Sequence, residues 1–395
     1  MKSYIFILGS NPILSKAEIN CFFHNPPITS LTPNTILLKL TQSVSNPQNI
    51  LDQLGGTIKI LEYKVQTTDD FFSALQNYII KNPQLPRDIG ISYYNFNKNL
   101  FSHLIKLKKE LKQNNLSKRF VINNEGQPLN AATINQNRLL EKGVEIVLIK
   151  NNREIIIGQT IAYQNIDSYT KRDYGKPKPD PISGMLPPKL AQIMLNLGHT
   201  QANQTIYDPF CGSGVILQEA LLRNISIIGS DISQIAVNNT IANLKWLNQT
   251  FKLSQANFRP NLEKSIFCAD ATKQILDKAV DAIITEPFLG PPLKTQITPA
   301  DAISKIESLL PLYRNFLINS TNNLKKSGFL VMVLPVFQTL SQTVAIDLTR
   351  LLDQNLQKNY NIIHSDLIYS QPNQRINRQL LVLQKITNRG KICHT

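Results

Sequence analysis

Thr205-Ile206-Tyr207-Asp208-Pro209-Phe210-Cys211-Gly212-Ser213-Gly214 is the stretch that decides the fold of this chain. A short apolar run ends on an acid, a glycine-rich turn follows, and residues 214–223 carry apolar side chains at helical spacing. A strand that feeds a helix through such a turn gathers backbone N–H groups and the positive end of the helix dipole at one point. Moving outward, residues 226–231, 265–270, 281–285 and 329–334 repeat the pattern of a short apolar strand. Their runs are continuous rather than alternating, as in parallel strands covered on both faces. Strands alternating with helices predict a doubly wound α/β sheet that binds ligands at the carboxyl ends of its strands. Asp208, Asp231, Asp270 and Glu286 all fall at those ends. Residues 361–369 and 380–385 read as a closing antiparallel pair.

The turn is not a dinucleotide fingerprint, because Leu217 stands where Gly-x-Gly-x-x-Gly needs its third glycine. S-adenosylmethionine suits it better: its carboxylate can sit at the helix start, and it brings no pyrophosphate. Asp231, on the order of twenty residues further on, is placed to accept both ribose hydroxyls. Asp270 is placed to accept from the adenine amino group. Phe210, Gly212, Gly214, Ile232 and Ala271 complete the expected cofactor set. For any single acid the alternative is a helix N-cap.

Thr285-Glu286-Pro287-Phe288 follows the fourth strand. An exocyclic amine is a poor nucleophile, since its lone pair is delocalised into the ring. A carboxylate and a neighbouring carbonyl that accept its two hydrogens localise that pair. A proline stiffens the turn, and an aromatic ring stacks on an extruded base. Glu286, Pro287 and Phe288 supply these parts, and Glu286 can take the proton that becomes acidic on methylation.

The remaining composition narrows the field. A chain of 395 residues, 42% hydrophobic, is long enough for two or three domains. Its four cysteines form no Cys-x-x-Cys pair and its five histidines are dispersed, so neither a metal site nor a disulfide framework is expected. No run reaches the roughly 18 apolar residues of a membrane span. The N-terminus lacks the core of a signal peptide, so it reads as a first strand of a cytoplasmic protein. The net charge of +15 suits a polyanionic partner, although an AT-rich genome, which favours Lys, Asn and Ile, would give the same balance.

Asn130-Ala131-Ala132-Thr133, Asn137-Arg138-Leu139-Leu140, Lys142-Gly143-Val144-Glu145, Arg172-Asp173-Tyr174-Gly175 and Gly184-Met185-Leu186-Pro187-Pro188-Lys189-Leu190-Ala191, with the cofactor loop, resemble the THUMP-domain tRNA guanine-N2 methyltransferases. The resemblance spans nearly the whole chain. It implies a ferredoxin-like domain over 1–60, a THUMP RNA-binding domain over 61–165, a Pro- and charge-rich linker over 166–184 and a class I methyltransferase domain over 185–395. It further implies tRNA as partner, with a guanosine, plausibly number ten, modified on N2. Arg138, Lys142, Lys171, Arg172, Lys176 and Lys178 are the expected RNA contacts. Lys106, Lys108, Lys109 and Lys112 on a basic helix, and Asn373, Arg375 and Arg378 in a late loop, are weaker candidates; for any single one of the lysines a solvated helix face is the favoured reading. The family's usual Asp-Pro-Pro-Tyr reads Glu286-Pro287-Phe288-Leu289 here. That departure leaves two alternatives open: a non-catalytic tRNA-binding protein that keeps the fold, and an amino-methyltransferase of adenine N6 or DNA. The need for a helper subunit is not readable.

Overall fold

The computed structural model describes residues 2–97, 99–179, 185–253, 262–372 and 374–386. The last five residues of the expected linker, 180–184, therefore lie outside it, and so does Asn373. The chain divides into two units: Met1–Pro12 with Phe23–Ser168, and Ile13–Phe22 with Tyr169–Thr395.

The first unit is built on one sheet. Its strands are β1 (Lys2–Leu8), β2 (Ile28–Thr32), β3 (Thr35–Leu40), β4 (Thr57–Thr67), β5 (Asp88–Tyr94), β6 (Arg119–Val121), β7 (Val144–Asn151) and β8 (Glu154–Tyr163). They lie in the order β2-β3-β1-β4-β8-β7-β5-β6, so the segments 1–60 and 61–165 share a sheet, with β4 pairing β1 on one side and β8 on the other. A buried charged knot holds the unit's centre. Lys59 Nζ lies 2.6 Å from Glu145 Oε1 and 2.8 Å from the Leu129 carbonyl, and the hydroxyls of Ser92 and Thr160 donate to the same carboxylate. Charges this deep persist only when they are paired and hydrogen-bonded, and here both carboxylate oxygens have donors.

The second unit has β9 (Thr205–Asp208), β10 (Ser226–Asp231), β11 (Ile266–Cys268), β12 (Val280–Thr285), β13 (Leu324–Gln338), β14 (Thr343–Ala345), β15 (Tyr360–Tyr369) and β16 (Ile376–Lys385). Their order is β11-β10-β9-β12-β13-β16-β15, with β14 on the end of β13. The first five are parallel and β16 runs antiparallel between β13 and β15, so the expected closing pair is present. The continuous apolar runs divide by alternation. Ile206, Ala282, Ile284, Val331, Val333, Leu380 and Val382 pack against the helices Pro188–Leu197, Val215–Leu222 and Gln234–Phe251. Tyr207, Ile283, Leu330, Met332, Leu334, Leu381 and Leu383 pack against the long helix Pro299–Asn323. That helix opens with a capping box between Thr298 and Asp301, with Pro299 in its first turn. An early helix joins this core too. Leu14, Ala17 and Cys21 are buried in it, and Glu18 accepts a 2.7 Å bond from Asn196.

Candidate active site

The acid of the decisive stretch is a structural tie. Asp208 is 2% exposed at the end of β9, and its Oδ1 accepts from the Thr285 hydroxyl at 2.6 Å and the Phe210 N–H at 3.2 Å. Burial pushes its carboxyl up to about 7, against the pull of those hydrogen bonds. The cofactor loop is thereby tied to the strand that delivers Glu286. Phe210 is half-buried and meets Phe316 edge-on at 5.3 Å.

The loop that follows is shaped by its own bonds. Gly212 and Gly214 have φ of +51° and +80°. A side chain at Gly214 would meet Thr240 at 2.9 Å, whereas one at Gly212 would find nothing nearer than the Phe210 carbonyl at 4.0 Å. Gly212 therefore presents bare backbone to open space, as a cradle must. The N–H groups of Cys211, Gly212 and Gly214 are already engaged, with Ser230 O, Asp231 Oδ2 and Cys211 O at 2.9, 3.0 and 2.7 Å. They hold the loop's shape.

Asp231 is half-exposed at the end of β10, and its other oxygen accepts from Ser233 N–H at 2.9 Å. Ile232 beside it is 76% exposed. Asp270, past β11, caps the following turn through Thr272 N–H and Oγ1 at 2.9 and 2.7 Å, and these bonds hold its carboxyl below the usual range. Ala271 is buried, and its carbonyl accepts from Asn319. The N-cap alternative thus describes part of what Asp270 does. An open glycine backbone, a half-exposed acid on the neighbouring strand and an exposed aliphatic beside it fit a nucleoside-bearing cofactor.

Glu286 follows β12, adjacent to β9 in the sheet. Its Oε1 accepts from Arg378 Nε at 2.6 Å. Burial pushes the Glu286 carboxyl up, and the Arg378 guanidinium pulls against that shift. Pro287 is buried, while Phe288 is 55% exposed and its carbonyl accepts from the Tyr313 hydroxyl at 2.7 Å.

The expected RNA contacts separate into two groups. Arg138, Lys142, Lys171 and Lys178 are exposed; Arg138 also pairs with Glu141. Arg172 does not face solvent: it is 6% exposed, its Nε lies 2.6 Å from Glu219 Oε1 and its guanidinium covers the Tyr169 ring. Lys176 is buried as well, and its burial lowers the ammonium pKa. Arg378 is buried too, whereas Arg375 stays exposed while donating to Leu293 O at 2.8 Å. Residues that sequence reasoning missed include Asn243. It brackets the backbone of Lys178 with two 2.9 Å bonds and donates to Ser213 O at 2.9 Å. Tyr313 and Glu219 were missed because nothing in their spacing marks them, and Thr285, although it opens the quoted motif, gave no sign of its bond to Asp208.

Among the described residues no group of three or more His, Cys, Asp or Glu is placed to hold a metal, and no helix is long and apolar enough to cross a membrane.

Comparison with known proteins adds independent findings. Residues 176–286 match a family described as RMKL-like, methyltransferase domain. A tRNA (guanine(10)-N2)-dimethyltransferase of Methanothermobacter thermautotrophicus is 34% identical over 161 residues, 41% of this chain and 42% of that protein. A probable tRNA (guanine(10)-N2)-dimethyltransferase of Methanothermococcus thermolithotrophicus is 33% identical over 144 residues, 36% of this chain and 77% of that protein. The chain thus spans about two-fifths of the first relative's length. TrmN from Thermus thermophilus, a crystal structure, superposes with a TM-score of 0.55 at 14% identity, covering 97% of this chain and 100% of that one; at that identity the likeness is one of fold.

Proposed function

Since this chain belongs to the family of the tRNA (guanine(10)-N2)-dimethyltransferases, we propose that it transfers a methyl group from S-adenosylmethionine to the exocyclic N2 of a guanosine in cytoplasmic tRNA, at position ten. The observation that carries this reading is the placement of Glu286-Pro287-Phe288 at the end of β12, tied through Thr285 and Asp208 to the glycine loop on the adjacent strand.

S-adenosylmethionine, when bound, supplies an electrophilic methyl group. Gly212 would give it room, Gly214 would keep the turn's shape by admitting Thr240, Asp231 would accept from its ribose, and Ile232, Asp270 and Ala271 would border its adenine. Glu286 accepts one hydrogen of the guanine amine and the Pro287 carbonyl the other, which localises the nitrogen lone pair. Phe288, exposed, stacks on the extruded base. Glu286 then takes the proton released by the methylated nitrogen. The first unit serves as a THUMP-type grip on the tRNA, with Arg138 and Lys142 on phosphates and Lys171 and Lys178 contributing from the second unit.

Incubating unmodified tRNA with isotopically labelled S-adenosylmethionine and digesting to nucleosides tests the reading. Labelled N2-methyl- or N2,N2-dimethylguanosine is expected, reduced by on the order of a hundredfold or more in Glu286→Ala. Label in N6-methyladenosine, or full activity in Glu286→Ala, overturns it.

A further inference from the structure

The loop that carries Glu286 is clamped at three points. Arg378 Nε holds Glu286 Oε1 at 2.6 Å, the Tyr313 hydroxyl holds Phe288 O at 2.7 Å, and Arg375 Nη1 holds Leu293 O at 2.8 Å. Two of the three come from one end of β16, where the chain leaves the hairpin. Arg378 lies two residues before Leu380 and four before Val382, so alternation puts it on their face of the sheet. Arg378 and Glu286 are 9% and 15% exposed, so the pair is screened little by solvent. Glu286 Oε2 has no hydrogen-bond partner among the described residues. A glutamate also has one more rotatable bond than an aspartate, and an unrestrained one would sample several positions for its carboxylate.

We propose that Arg378 is a positioning residue of the site: by pinning Oε1 it fixes the place of the Glu286 carboxylate and leaves Oε2 as the acceptor for the amine hydrogen. The inference rests on the methyl-transfer reading above. Arg378 from β16 touches the carboxyl, and Asp208 on β9 and Tyr313 on the helix Pro299–Asn323 are near enough to sense its charge. Burial favours the protonated form of Glu286, and Arg378 is the cation that opposes it. A protonated Glu286 has lost the charge that draws the amine hydrogen and cannot take up the proton released later. Removing Arg378 therefore raises the pH at which the acceptor becomes available.

The test compares wild type, Arg378→Met and Arg378→Lys in two measurements. In the first, kcat for methyl transfer to a tRNA transcript is followed from pH 5 to 9. Arg378→Met is expected to lose on the order of a hundredfold at pH 7 and to regain activity toward higher pH, its acidic limb displaced upward. Arg378→Lys, which keeps the charge without the guanidinium fork, recovers part of the loss and keeps the limb near wild type. Calorimetric affinity for S-adenosylmethionine stays within about threefold of wild type. A uniform loss with an unmoved limb marks Arg378 as a mere structural prop and overturns the proposal, as does wild-type activity in Arg378→Met. The second measurement is a carbon-13 titration of the Glu286 carboxyl, assigned by its disappearance in Glu286→Gln. It needs no turnover: an upward displacement in Arg378→Met supports the lock even if no RNA is methylated, and an unchanged titration overturns it. Failure of this inference is thereby separated from failure of the proposed function. If Arg378→Met fails to fold, the lysine variant decides: a limb displaced as far as full loss of the cation would demand contradicts the proposal.

Discussion

Asp208 shows how a residue can be found in the sequence while its job is not. Its place at a strand end beside a glycine turn is legible, because strand, turn and helix are contiguous. Its partner Thr285 lies in another strand, and only the folded sheet brings the hydroxyl to 2.6 Å. The tie has a consequence for stability. The folded-state carboxyl titrates near 7, above the ordinary 3.8 of the unfolded chain, so between those values the native state binds the extra proton. The contribution is fully present below about 3.8 and is lost as the pH rises through about 7, on the order of a few kcal/mol at most. Asp208→Asn keeps an oxygen for Thr285 and Phe210 and removes the titration. Melting at pH 5 and pH 8 should therefore show a smaller fall in Tm for Asp208→Asn than for wild type; an equal fall contradicts the assignment. Phe288 makes the complementary case. Being 55% exposed, it adds little to the core, so Phe288→Ala should leave Tm nearly unchanged. It should weaken tRNA binding by about 1–3 kcal/mol, read as a raised KM for tRNA with unaltered S-adenosylmethionine affinity.

At the scale of elements, the parallel strands were legible because burial on both faces leaves unbroken apolar runs. β13 is longer than its apolar centre, running from Leu324 to Gln338, because its far end pairs with β14 and β16, which the run itself does not announce. The allegiance of residues 13–22 was equally hidden: nothing in the local sequence says which core receives Leu14 and Cys21. The linker misled in another way. Its basic residues suggested phosphate contacts, yet Arg172 belongs to a buried network in which Glu219 also accepts from Gln192 at 2.9 Å. Glu219 lies on the helix that starts at the cofactor loop. Arg172→Met strands a buried carboxylate and should cost about 3–5 kcal/mol in the denaturant midpoint. Adding Glu219→Gln should recover a good part of it. A double variant as unstable as the sum of the singles would dissociate the pair.

At the scale of the whole molecule, a charge of +15 and exposed Lys142, Lys171 and Lys178 should give the proposed tRNA binding a strong salt dependence. Each of these lysines changed to alanine should flatten the slope of log affinity against log salt by about one phosphate contact's share, whereas Arg172→Met should leave the slope unchanged. Composition alone could not make that distinction, because it counts charges without saying which are buried. The central claim is that an amine clamp at Glu286 acts on N2 of a guanosine, and one measurement reaches it most directly. Two tRNA transcripts identical except at position ten, one with guanosine and one with inosine, which lacks only the exocyclic amine, are incubated with the protein and labelled S-adenosylmethionine. Label should enter the guanosine transcript and not the inosine one. Equal incorporation into both would contradict the account.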